Sequence, residues 1–505
     1  MTRPHAILIC CVALALAMLS FNVKPIGYLH SWNQVTTLVH ISALSRDFSS
    51  WHKPHDVVTR LPAADKKLAV APPFEDFRIF EEPPLYHLVS ALLTRLGSIG
   101  TDSFQIFSPE NAARLISIVM WGIGACGIIY LGASSATPLV STITLILYCC
   151  SFPVAYYGCA IMSDTAMTSM WLWSLVYLGQ WEQGGRHSKL LAALAFGGLA
   201  GLFKSYGLIA LIPPLALETY RVMAGHAPLK RLLSVIALAA LAATPTLLWH
   251  WHAATSPGHQ EFQSHSLALK INTIASFEFW NALQKGYFRY LSYVMGGAAI
   301  LSGIIWFKRK STLKLPHTIW IAAFTGIFFI FVTADKIPHH DYYLLMPAVP
   351  VFVIAATLIS KALLILPAHV RLPLLCVLAI GIAAPSFFNV KKALKEHSDV
   401  IPCAELLAAH SAPSELIAAY ADVTRYNSIV YYADRFAVRV EDTIFPIRRY
   451  QAAGASSLVI DLPPAQFERF DKWLDKQRAT TSLSQISGID YKGQPRVCGI
   501  YRINQ

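Results

Sequence analysis

Few residues in this chain of 505 could do chemistry, and most of them stand at the edges of apolar runs. Glu81 and Glu82 immediately precede Pro83-Pro84, and Arg114 opens an apolar segment. Asp164 lies in "CAIMSDTAM" and Lys204 in "GLFKSYGL". Lys336, His339, His340 and Asp341 crowd into "DKIPHHDYYLLMP", with Tyr342 directly behind them. Lysine and arginine hold phosphate through charge-assisted hydrogen bonds. A carboxylate placed beside them takes a proton from a hydroxyl. The combination suits displacement of a phosphate leaving group by an alcohol, provided the elements bring these residues together.

Those elements are membrane spans. The chain is 55% hydrophobic and 14% charged, against roughly 25% charge in a soluble domain. Eleven apolar segments read as transmembrane helices, at about 5–22, 112–133, 136–156, 164–182, 189–206, 207–220, 231–252, 291–307, 316–333, 342–360 and 371–388. The first reads as an uncleaved helix rather than a signal peptide. The formal charge of +12 reflects basic cytoplasmic loops rather than nucleic-acid binding. Arg3, Arg186, Lys189, Arg221, Lys230, Arg231, Lys308, Arg309, Lys310, Lys314, Lys361 and Arg371 occupy one set of loops, which the positive-inside rule makes cytoplasmic. Residues 23–111, 157–163, 253–290, 334–341 and the tail from 389 then face outward, and the reactive residues gather at that face.

The long outer segment 23–111 carries two helical patterns, "QVTTLVHISALSRDF" and "PLYHLVSALLTRLG", expected at the membrane interface. The tail 389–505 reads as a small soluble α/β domain. Its strands are expected in "ELIAAYAD", "SSLVIDLP" and "PRVCGIYRI", and a helix in "AQFERFDKWLDKQ". Cys403 and Cys498 lie in this tail and would pair in an oxidising compartment.

The stretches "EEPPLYHLVSALL", "ARLISI", "MSDTAM", "GGLAGLFKSYGL" and "KIPHHDYYLLMPAVP", in this order, resemble the GT-C superfamily of polyprenyl-phosphate-sugar glycosyltransferases. The branch that fits best is similar to protein O-mannosyltransferases and the lipid A aminoarabinose transferase. The resemblance covers about 1–360 and implies an α-helical polytopic fold. It further implies transfer of a sugar from a polyprenyl phosphate to a lipid, polysaccharide or protein acceptor. In a bacterium this would occur at the periplasmic face of the inner membrane. Lys336, Arg114 and Lys204, with His339 and His340, are then expected to hold the donor phosphate, and Glu82 or Asp164 to activate the acceptor. Direct displacement would invert the anomeric centre.

Two departures stand out. Where such enzymes carry an acidic pair early in the first outer segment, this chain has Asn33 and Gln34, amides that cannot serve as a base. Where the aminoarabinose transferases place a lysine before the double proline, this chain has Glu82. Glu82 is therefore read as a base, a metal ligand or an acceptor contact. The outer histidines with Glu81 or Glu82 also offer ligands for a divalent metal. Plainer structural readings exist as well: Glu82 and Asp164 suit helix N-termini, the latter capped with Ser163, and Tyr342 suits an interfacial anchor. A transporter or flippase is the alternative class, and it calls for mid-span charges and repeat symmetry. A non-catalytic envelope scaffold is the third.

Overall fold

The computed structural model describes residues 2–23, 31–46, 48, 82–97, 108–134, 137–255, 270–308, 315–338, 340–394, 400–412, 415–421, 423–439, 450–451, 454–462, 472, 483–490 and 497–503. Helices dominate up to residue 393. They are α1 (Arg3–Ser20), α2 (Ser31–Arg46), α3 (Leu85–Gly97), α4 (Pro109–Ala133), α5 (Pro138–Cys150), α6 (Phe152–Tyr157), α7 (Asp164–Gly184) and α8 (His187–Phe203). After a 3-10 turn at Ser205–Leu211 come α9 (Ile212–Met223), α10 (Leu229–Thr255), α11 (Ile271–Ile274), α12 (Phe277–Lys308) and α13 (His317–Val332). A second 3-10 turn, Asp341–Leu344, leads into α14 (Leu345–Ile365), followed by α15 (Ala368–Ala393).

Each apolar segment read from the sequence falls on this helical structure. Among the described residues, five helices are long and apolar enough to cross a membrane by themselves: α1, α4, α10, α14 with its preceding turn, and α15. Shorter apolar helices, including α5, α8 and α13, pack among them. The chain is thus a multi-pass membrane protein. The boundaries differ at α12, which begins at Phe277, well inside the outer segment expected over 253–290. Gln284, Lys285 and Arg289 interrupt its apolar run, so hydropathy alone misses its first turns.

Both helices expected in the first outer segment are present. α3 exposes Leu92 and Leu96 beside Arg95 while burying Tyr86, His87, Ser90 and Thr94, a division that fits an interface. α2 is more enclosed than expected, because α3, α4 and α17 (Val423–Ala433) surround it. Its Val35, Leu38 and Ile41 are fully buried.

The C-terminal region forms a five-stranded sheet in the order β2-β1-β3-β5-β4. The strands are β1 (Leu416–Ala421), β2 (Phe436–Arg439), β3 (Ala455–Leu462), β4 (Leu483–Asp490) and β5 (Val497–Ile503). β1 pairs in parallel with β2 and β3, and β5 pairs antiparallel with β3 and β4. β1, β3 and β5 are the strands read from the sequence; β2 and β4 were not. The helix expected over 465–477 lies outside the described residues, Lys472 apart. Cys403, on α16 (Ile401–His410), is disulfide-bonded to Cys498 on β5. Arg425 of α17 pairs with Asp461, a fully buried carboxylate on β3.

The sheet region meets the helical region at a defined place. α17 packs on α2, and Tyr431 Oη donates to Glu110 Oε1 at 3.2 Å. Glu110 stands in the first turn of α4, the same end of that helix that carries Arg114.

Candidate active site

Three elements deliver the central residues. α3 starts behind Pro83-Pro84, whose fixed φ angles and missing N–H groups suit a helix start. The Leu88 amide closes the first turn on the Pro84 carbonyl at 2.8 Å. Glu82 therefore projects from a stiff step. Asp164 is the first residue of α7. Lys204 ends α8 with an extended backbone and is followed at once by the 3-10 turn. That turn is tight: the Gly207 amide donates to the Lys204 carbonyl at 2.7 Å. A Cβ on Gly207 would lie 2.2 Å from the Ala200 carbonyl oxygen, so only glycine fits.

These residues converge on one ion cluster. Lys204 Nζ lies 2.8 Å from Glu82 Oε1 and 2.9 Å from Asp164 Oδ2. The Lys204 side chain is 4% exposed, Asp164 3% and Glu82 21%, so only Glu82 opens toward solvent. Ser163 does not cap α7 with its side chain. Its hydroxyl donates instead to Glu82 Oε2, which corrects the capping role read from the sequence. Burial of Glu82 acts to raise its carboxyl pKa, but the charge and hydrogen bond of Lys204, together with Ser163, more than offset this and hold it below the ordinary carboxylate value. His87, one turn into α3, is pushed below the ordinary imidazole value by burial, with Glu82 opposing.

An aromatic wall backs the cluster. The Lys204 ammonium lies 4.9 Å from the centre of the Tyr342 ring and 6.0 Å from that of Tyr206, within cation–π range. Tyr342 stacks on Tyr343 with centroids 4.9 Å apart. His340 lies 5.3 Å from Tyr342. Tyr342 is therefore part of the site rather than a lipid-facing anchor. A third carboxylate stands beyond this wall: Asp341 accepts from the Tyr157 hydroxyl and pairs with Arg289 Nη1 at 3.3 Å. Tyr157 in turn packs edge-on to Tyr342.

Other expected residues act on the turn that carries Asp164. Gln34 donates to Tyr156 Oη at 3.2 Å and accepts from the Ile161 amide at 3.1 Å. Arg114 is fully buried, and its guanidinium donates to the Cys159 carbonyl at 3.2 Å and the Val23 carbonyl at 2.8 Å. Both residues thus clamp the turn 156–161 that leads into α7. Asn33 is half-buried on α2. Lys336 is half-buried, and its carbonyl accepts the His340 amide at 2.8 Å. Glu81 and His339 lie outside the described residues.

Tyr157, Ser163, Tyr206 and Arg289 join the cluster without a motif in the sequence that marks them as site residues. Arg289 did leave a trace, being a cation in the segment 253–290, which the charge rule expects on the side poor in cations. As for a metal, the described residues contain no group of three or more His, Cys, Asp or Glu side chains able to hold one. Glu82 and Asp164 share an ammonium rather than framing a cation site.

The family profile described as dolichyl-phosphate-mannose-protein mannosyltransferase matches residues 81–249, the stretch that holds Glu82, Arg114, Asp164 and Lys204. No curated protein matches the chain. Among solved structures it is similar to ArnT from Cupriavidus metallidurans bound to undecaprenyl phosphate. That match has a TM-score of 0.66 at 14% identity and covers 99% of this chain and 98% of the other. It is also similar to the archaeal oligosaccharyltransferase AglB from Archaeoglobus fulgidus in complex with an inhibitory peptide and a dolichol-phosphate. Here the TM-score is 0.59 at 11% identity, over 100% of this chain and 74% of the other. The resemblance read from the sequence motifs is borne out: the chain has the GT-C glycosyltransferase fold.

Proposed function

We propose that this protein is an inverting membrane glycosyltransferase. It moves a sugar from a polyprenyl phosphate to a lipid, glycan or protein hydroxyl. The observation that carries this reading is the Lys204 ammonium held between Glu82 and Asp164 against the Tyr342 ring. In this reading the mainly buried Lys204 anchors the phosphate, and the partly open Glu82 carboxylate beside it is the base. The fold match to a protein holding undecaprenyl phosphate supports the lipid class of the donor.

In this mechanism Lys204 stabilises the charge that develops on the leaving phosphate. Lys336, His339 and His340 keep the phosphate-binding role that their sequence motif implies, and the His340 ring lies 5.3 Å from that of Tyr342. Glu82, the carboxylate open to solvent, accepts the acceptor hydroxyl's proton as the oxygen attacks the anomeric carbon. The sugar–phosphate bond breaks with its electron pair on the phosphate, and attack from the opposite face inverts the centre. Asp164, almost fully enclosed, keeps Lys204 charged and in place. Arg114 and Gln34 serve as positioning residues by fixing the 156–161 turn.

The protein is placed in a bacterial inner membrane, crossing it about eleven times, with the site and the C-terminal sheet in the periplasm. The positive-inside pattern supports this, as does a disulfide in the C-terminal region. The domain limits are 1–388 for the membrane part and 389–505 for the soluble part. The test uses purified protein in proteoliposomes with a polyprenyl-phosphate sugar and envelope extract as acceptor source. Sugar transfer with release of polyprenyl phosphate is expected, and Glu82→Gln should slow it by about 10²–10⁴-fold. No consumption of the donor by the wild type would rule out the enzyme reading.

A further inference from the structure

The ion cluster has a feature that a simple phosphate anchor lacks. A lysine ammonium carries three hydrogen-bond donors. Two of those on Lys204 already face carboxylate oxygens, at 2.8 Å from Glu82 and 2.9 Å from Asp164. An incoming phosphate would meet not a bare cation but one ammonium between two carboxylates. The two carboxylates are not equivalent. Asp164 belongs to the first turn of a packed helix and is 3% exposed. Glu82 precedes α3, is 21% exposed and has a second attachment through the Ser163 hydroxyl to its other oxygen. Of the two, Glu82 is the more exposed and does not belong to a packed helix turn, so it is the carboxylate an incoming anion reaches first.

We infer that Glu82 is an internal occupant of the phosphate site, and that a donor phosphate takes its place on Lys204 and thereby frees the Glu82 carboxylate to serve the acceptor. This rests on the proposed function above. The exchange is an ion swap: the Lys204–Glu82 contact opens, a Lys204–phosphate contact forms, and no covalent bond changes. Asp164 stays on Lys204 throughout. Ser163 keeps Glu82 within reach after the swap, so the released carboxylate remains beside the phosphate it gave way to. Away from the ammonium it is a better proton acceptor, since the neighbouring cation is what disfavoured its protonation. The base is thus restrained while the donor is absent and becomes active only when the donor is bound. Water attack on a sugar that has not yet seated against Lys204 is then not assisted.

This makes an unusual demand on a catalytic carboxylate: removing its charge should strengthen binding of the donor phosphate while slowing transfer. The test is binding of undecaprenyl phosphate, without sugar, to the full-length protein in nanodiscs. Glu82→Gln is expected to bind about tenfold more tightly than wild type, since a charge-assisted competitor is lost. Should Glu82→Gln fail to fold, Glu82→Ala, which also removes the competing charge, should show the same direction. Infrared difference spectra of the wild type should show the Glu82 carboxylate band shifting when the lipid is added. Unchanged or weaker binding by the variants, or no band shift in a wild type that binds the lipid, overturns the swap. A wild type that binds no polyprenyl phosphate at all sinks the donor reading instead.

Discussion

Lys204 is the residue on which the site depends, and its neighbours set what its loss would do. Removing it leaves Asp164, 3% exposed, and Glu82 side by side without a counter-charge. Breaking a buried pair from one side costs about 3–5 kcal/mol, so Lys204→Met should lower thermal stability as well as donor binding. The double variant Lys204→Met with Asp164→Asn should recover much of the stability and none of the transfer; thermal melts beside a transfer assay separate the two effects. The titrating groups give a second prediction. His87 has a lowered pKa in the folded state, so the unfolded chain takes up its proton first. Its contribution to stability is intact above the ordinary imidazole value and declines as pH falls below about 6.5. Glu82, with a lowered carboxyl pKa, contributes above the ordinary carboxylate value of about 4.3 and loses that contribution only as pH falls further. Acid titration of stability should therefore show two steps, and His87→Phe should remove the upper one. A single step below the carboxylate range in both proteins would contradict this assignment.

At the scale of elements, the site depends on how α8 stops. Ala200, Lys204 and Gly207 form one compact turn, and a Cβ on Gly207 has a backbone oxygen 2.2 Å away. Gly207→Ala should displace the Lys204 turn and destabilise by roughly 1–3 kcal/mol. The melting temperature reports the loss, and transfer should fall with it although the glycine has no side chain to contribute to the chemistry. Sequence reading finds such turns only in outline. The ends of α3, α7 and α8 were legible because single charges in apolar surroundings are rare, and Glu82, Asp164 and Lys204 do meet. The Ser163–Glu82 bond was not legible, since capping of its own helix is the common local role for a serine before Asp164. Arg289 and Tyr157 were hidden for a related reason: they find Asp341 through tertiary packing, and the polar early part of α12 does not read as a helix. In the tail, β2 has four residues and β4, "LSQISGID", is polar, so neither shows the hydrophobic signal that marked β1, β3 and β5.

The whole molecule places its C-terminal sheet at the same end as the site, through α17 on α2 and Tyr431 on Glu110. The Cys403–Cys498 bond spans 95 positions, and closing a loop of that length stabilises by roughly 4–5 kcal/mol in the chain-entropy account. Reduction with a membrane-permeant thiol should lower the unfolding temperature of the sheet and leave the helical part folded; equal unfolding before and after reduction would contradict this. The most direct test of the site assignment is a cryo-electron-microscopy structure of the wild-type protein with undecaprenyl phosphate bound. The phosphate is expected within hydrogen-bonding reach of Lys204 Nζ, with Glu82 displaced from it and still near Ser163. Phosphate density elsewhere, with the Lys204–Glu82–Asp164 cluster intact, would contradict it.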